Sequence, residues 1–254
     1  MSALNNRPVT DRENVYDSGS SSSNTGALSL VKVFSYMALG LLITAAVAFG
    51  FGYIFSLILA KDADAAYSTL LVVLISACIF QFILTFIIQL VFLKGKHSIL
   101  VPYILYTITM GFMLSTFTIF IDWRLLGMAF GITAVTFLFM TLLAVATRKT
   151  NMNGVAIAAM GLFLGAGLVA LFTWIFILLW PEQFETFYWI INFAVFAAIM
   201  LSTIYDLWRI NQLCQNGAMN KNLSLYCAFN IYVDFIAIFI RIVYYLLIFS
   251  SKRK

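Results

Sequence analysis

The stretch Ser224-Leu-Tyr-Cys-Ala-Phe-Asn-Ile-Tyr-Val-Asp-Phe-Ile-Ala-Ile-Phe-Ile-Arg-Ile-Val-Tyr-Tyr-Leu-Leu-Ile-Phe249 decides the fold. It is long and apolar enough to cross a hydrocarbon core of roughly 30 Å as a helix. Its polar residues do not scatter. Tyr226, Asn230, Asp234, Arg241 and Tyr245 follow one another in steps of 4, 4, 7 and 4, which makes one stripe along a helix. A charge at mid-bilayer costs about 2.5–3.5 kcal/mol on insertion scales, so the stripe is expected to face an interior or a cavity.

The preceding apolar segment, 187–209, carries a matching set: Asn192, Ser202, Thr203 and Asp206 lie near one helical face. Five more apolar segments come before it, at 33–59, 67–93, 99–121, 125–147 and 154–180. No alternating strands of about ten residues are visible, so a closed barrel is excluded. The expected fold is an all-α membrane protein, a seven-transmembrane helical bundle over residues 31–250 with short connections. Composition agrees. Hydrophobic residues make up 63% of the 254 and charged residues 10%, too few to coat a water-facing surface. Mean hydropathy is +1.00.

Residues 1–30 are of another kind. Arg7, Asp11, Arg12, Glu13 and Asp17 precede the run Ser18-Gly-Ser-Ser-Ser-Ser-Asn-Thr-Gly26. So polar a stretch cannot repay its ordering entropy, and it is expected to be a disordered cytoplasmic tail. It lacks the apolar core and cleavage site of a signal peptide. Residues 251–254 form a short basic tail. Loop Lys and Arg number six on the side of the N-terminus and two on the other, which places the N-terminus in the cytoplasm and the C-terminus outside. Lys252, Arg253 and Lys254 go against that bias, and a re-entrant last segment would remove the conflict. Asn222-Leu-Ser224 matches a glycosylation sequon but falls on the cytoplasmic side.

Several functions drop out. His97 is the only histidine and sits in a basic loop, so a histidine-based zinc site or a Ser–His protease is hard to build. Cys78, Cys214 and Cys227 form no CxxC pair, and no Walker-type glycine loop occurs. The last segment has no lysine for a retinal Schiff base. No nucleophile–base pair marks an enzyme. The net charge of +5 reads as basic loops against anionic lipid, not as nucleic-acid binding. Trp123, Trp180, Trp189 and Trp208 fall near segment ends as interfacial anchors. Gly127 and Gly131, and Gly161, Gly165 and Gly167, are expected to be small-residue seams for helix packing. Gln81 and Gln89 share a face in the second segment. Interhelical hydrogen bonding is their expected role, with cavity lining as the other reading.

Asp206 and Asp234 admit two roles. Two carboxylates in a low dielectric cannot both ionise cheaply, so they would share a proton and titrate as a unit, a pH-sensitive latch. Alternatively each pairs separately, Asp206 with Arg209 and Asp234 with Arg241. Calcium takes 6–8 oxygens, so the pair supports transient coordination and no fixed metal site. No cofactor is expected.

Several stretches resemble the Bax inhibitor-1 family of seven-helix membrane proteins, in its bacterial YccA-like branch. They are Tyr36-Met-Ala-Leu-Gly-Leu-Leu-Ile-Thr44, Pro102-Tyr-Ile-Leu-Tyr106 with Gly111-Phe-Met-Leu-Ser115, and Ala129-Phe-Gly-Ile-Thr-Ala-Val-Thr-Phe137. The most specific are Ile204-Tyr-Asp-Leu-Trp-Arg209 and Ile231-Tyr-Val-Asp-Phe-Ile-Ala-Ile-Phe239. The resemblance implies that Asp206 and Asp234 are a di-aspartyl pH sensor; Arg241, Arg209, Asn192 and Asn230, read from the polar stripes and spacing, are the expected supporting polar residues. The resemblance implies a pH-sensitive calcium leak in a bacterial inner membrane, with calcium or protons as the ions concerned. It also implies an alternative: an interaction protein acting on a membrane AAA protease or on a stress or cell-death response. Three departures stand out. Many members carry an arginine where this chain has Tyr244, and Arg241 comes one turn earlier. The second segment has no acid to pair with it. Ala237 replaces a frequent Asn.

Overall fold

The computed structural model describes residues 13–60, 63–94, 98–147, 152–156, 184–217 and 219–251, with residues 158, 161 and 164. Its long helices are α1 (Glu13–Leu59), α2 (Ala63–Lys94), α3 (Leu100–Phe120), α4 (Trp123–Ala146), α5 (Phe184–Gln215) and α6 (Lys221–Ser251). Six helices among the described residues are long and apolar enough to cross a membrane. They correspond to six of the seven expected segments. Most of the 154–180 segment, with Gly165, Gly167 and Trp180, lies outside the described residues. Helices are the outcome that lipid demands, because a helix satisfies its backbone polar groups within the segment.

The helix ends follow local chemistry. Asp122 caps α4, its side chain accepting from the Arg124 N–H at 3.1 Å. Asn220 caps α6, its Oδ1 accepting from Leu223 N at 2.8 Å. Between α5 and α6, Gly217 takes a φ of 67°, the left-handed conformation that ends a helix. Two boundaries differ from expectation. α1 begins at Glu13 and so takes in much of the stretch expected to be a disordered tail; extending an existing helix costs far less than nucleating one. α5 runs on past Arg209 to Gln215, because a helix need not end where charge begins.

α6 is the centre of the bundle and packs against all five other helices. Leu225, Ile231, Tyr232, Ile238 and Val243 along it are fully buried. Outward-facing apolar side chains such as Leu42, Phe82, Val135 and Phe193 remain exposed, as lipid contact requires. The closest helix contact is α1 against α3. A Cβ at Gly40 would collide with the Tyr103 hydroxyl, one at Gly52 with the Thr118 hydroxyl, and one at Gly111 would lie 2.7 Å from Val47 Cβ. The expected seam at Gly127 and Gly131 is therefore corrected. Among the described residues a Cβ at either meets nothing within 4 Å, and the small-residue packing belongs to Gly40, Gly52 and Gly111.

That contact is fastened by a buried polar knot. Thr44 Oγ1 lies 2.9 Å from Gly40 O, 3.0 Å from Thr107 O and 2.5 Å from the Tyr232 hydroxyl. Its single proton goes to the carbonyls, so Tyr232 donates to it. The knot joins α1, α3 and α6.

Candidate acidic site

Asp206 and Asp234 come from neighbouring antiparallel helices, α5 and α6, and open on one polar cavity of about 190 Å³. Gln89 of α2, Tyr106 of α3 and Asn230 of α6 also line it. The two carboxyls act on each other electrostatically. Arg209, one turn on and exposed, adds its charge to Asp206. Asp234 Oδ2 is buried and has no hydrogen-bond partner among the described residues.

Thr203 makes the Asp234 environment more specific. Its hydroxyl lies beside the Asp234 carboxyl. Its oxygen also lies 2.8 Å from Ile199 O. A hydroxyl has one proton, so Thr203 can give it either to the Ile199 carbonyl or to the Asp234 carboxylate. Asp206, Asp234, Asn230 and Gln89 are the oxygens the site could offer a cation; calcium would need water to complete 6–8 ligands. Among the described residues no group of three or more His, Cys, Asp or Glu gathers as a metal site.

The supporting residues divide. Asn230 joins the aspartates, but Asn192 and Arg241 meet elsewhere. Arg241 Nη1 donates to Asn192 Oδ1 at 2.6 Å, and the Tyr245 hydroxyl donates to Asn192 O at 3.2 Å. The alternative of an Asp234–Arg241 pair is therefore corrected. Arg241 reaches toward the level of Tyr245, one turn further on, where a neutral amide receives it. Gln81 donates to Met110 Sδ at 3.6 Å across α2 and α3, as expected for an interhelical contact, whereas Gln89 lines the cavity. Tyr106 and Thr85 were not singled out from the sequence as site residues. Each sits in an apolar run where a lone hydroxyl gives no signal.

A bundle of long apolar helices, with two aspartates lining one cavity between its last two described helices, fits an integral, multi-pass membrane protein. The chain belongs to the Bax inhibitor-1 family: the family described as "Inhibitor of apoptosis-promoting Bax1" matches residues 27–251. No curated protein and no solved structure matches the chain.

Proposed function

We propose that this protein is a pH-gated cation leak, with calcium as the permeant ion, and that it is not an enzyme. The observation that carries the reading is the shared cavity: Asp206 and Asp234, on separate helices, open on the same polar space. With one proton shared, the pair ties α5 to α6 and closes the path. With both ionised, repulsion loosens the contact and leaves two anionic groups facing a cation route. The titratable and charged groups that bear on the pair are each other, Arg209, the Cys227 thiol and the Tyr106 hydroxyl. Flux therefore rises with pH through the titration of the pair. The membrane in this reading is a bacterial inner membrane with the N-terminus in the cytoplasm.

The test is calcium flux into vesicles holding the purified full chain, across a series of pH values. Wild type should show a sigmoidal rise with pH. A flux independent of pH, or indistinguishable from empty vesicles, would defeat the reading.

A further inference from the structure

A second cavity, of about 420 Å³, lies on the other side of α6. α1, α3 and α4 supply the rest of its wall, through Leu41, Ala48, Phe117 and Gly127, and α6 adds Phe235 and Phe239. This lining offers almost nothing to orient a polar ligand. Leu42, Phe49 and Met128 on the flanking helices are exposed, so the groove opens toward lipid. Among the described residues Gly127 has no neighbour within 4 Å of where a Cβ would stand, so its face is open to the groove.

Size selects the occupant. Along α1 the groove runs from Leu41 to Phe49, about 12 Å at helical rise, close to one leaflet's half of a roughly 30 Å core. An extended acyl chain lies along an apolar trough of that length end to end.

Charge selects the rest of the molecule. Trp123 lines the groove at the two-residue link between α3 and α4, where both spans end. The Arg124 guanidinium lies 5.7 Å from the Trp123 ring centroid. The nearby Asp122 carboxylate is turned to the Arg124 backbone N–H, as the cap of α4. A guanidinium beside an interfacial tryptophan is suited to a phosphate held at headgroup depth. We propose that the groove is a phospholipid site, in which one acyl chain lies against Gly127 and Phe239 and the headgroup phosphate meets Arg124. This site is independent of the leak reading.

The test is native mass spectrometry of the full chain in detergent with added dioleoyl phosphatidylglycerol. Wild type should retain one lipid under activation that strips the others. Gly127→Leu fills the groove and should cut retention about tenfold, while Gly131→Leu, equally open but outside the groove, should not. Arg124→Gln should also weaken retention, and should erase the wild-type preference for phosphatidylglycerol over diolein, which has the same chains and no phosphate. Equal retention by Gly127→Leu and wild type overturns the proposal, as does equal retention of diolein by wild type. A change in oligomeric mass without a change in lipid count would make the groove an interface between copies, and would equally overturn it. If Gly127→Leu does not fold, brominated-chain phosphatidylglycerol supplies a second arm. The quenching of tryptophan emission that survives delipidation should be lost in Trp123→Phe, and its persistence would sink the idea.

Discussion

The two ends of the α5–α6 pair solve the same difficulty in opposite ways. At one end Asp206 and Asp234 share a cavity, with the exposed Arg209 acting on Asp206 from beside it. At the other, among the described residues, Arg241 meets no acid and is held by the amide of Asn192, while Tyr245 donates to the Asn192 carbonyl. The difference follows from what each group can do with a proton. A carboxyl can take one and become a neutral donor, so two can lie side by side. An arginine cannot lose its proton in a protein, so it must be met by acceptors that stay where they are. The acidic end can change state and the basic end cannot. On this basis the pH response belongs to the first, and the second is a fixed tie.

The largest expected effect tests the acidic end. Asp206→Asn or Asp234→Asn should flatten the dependence of flux on pH, because an amide cannot titrate. A wild-type profile in both variants would mean that the pair is only structural. Next in size is Asn192→Leu, which leaves the Arg241 guanidinium without its amide. It should cost about 1.5–3 kcal/mol, seen as a lower melting temperature, with the pH midpoint of flux unmoved. A moved midpoint would show that the two ends are coupled. Tyr245→Phe removes one neutral hydrogen bond and should cost about 0.5–1.5 kcal/mol in the same assay. The smallest effect is expected of Arg241→Gln, which keeps a donor for Asn192 and removes the charge. Its flux profile should overlay that of wild type, and a shift would restore an electrostatic role toward Asp234.

The fold was largely legible in the sequence because lipid imposes a coarse rule: a span must be apolar for about 20 residues. The 67–93 and 99–121 segments agree with the observed spans Ser68–Lys94 and Leu100–Phe120 to within a residue or so. The acid pair was legible too, since Asp206 and Asp234 are the costly residues of their helices. What could not be read was partnership. Spacing put Asn192 on a face with Asp206, but it cannot report that residues 14 apart stand about 21 Å from each other along a helix. Nor could it choose between glycines. Gly40 and Gly127 look alike in sequence, yet one lies against the Tyr103 hydroxyl and the other faces open space among the described residues. That distinction depends on which helices are neighbours. α3 and α4 are joined by two residues but touch little, while α1 and α3 pack most closely.

Arg241 has one more consequence, which concerns voltage. It lies within the span Lys221–Ile248, seven residues short of its end, so its permanent charge stands inside the field across the membrane. Moving one elementary charge through the whole of that field is worth about 2.3 kcal/mol per 100 mV. The Asn192 amide that holds the guanidinium therefore also holds it against the electrical gradient. A rearrangement of α6 that broke this hydrogen bond and carried Arg241 along the membrane normal would do electrical work. Protonation of the aspartates and polarisation of the membrane would then act on the same helix.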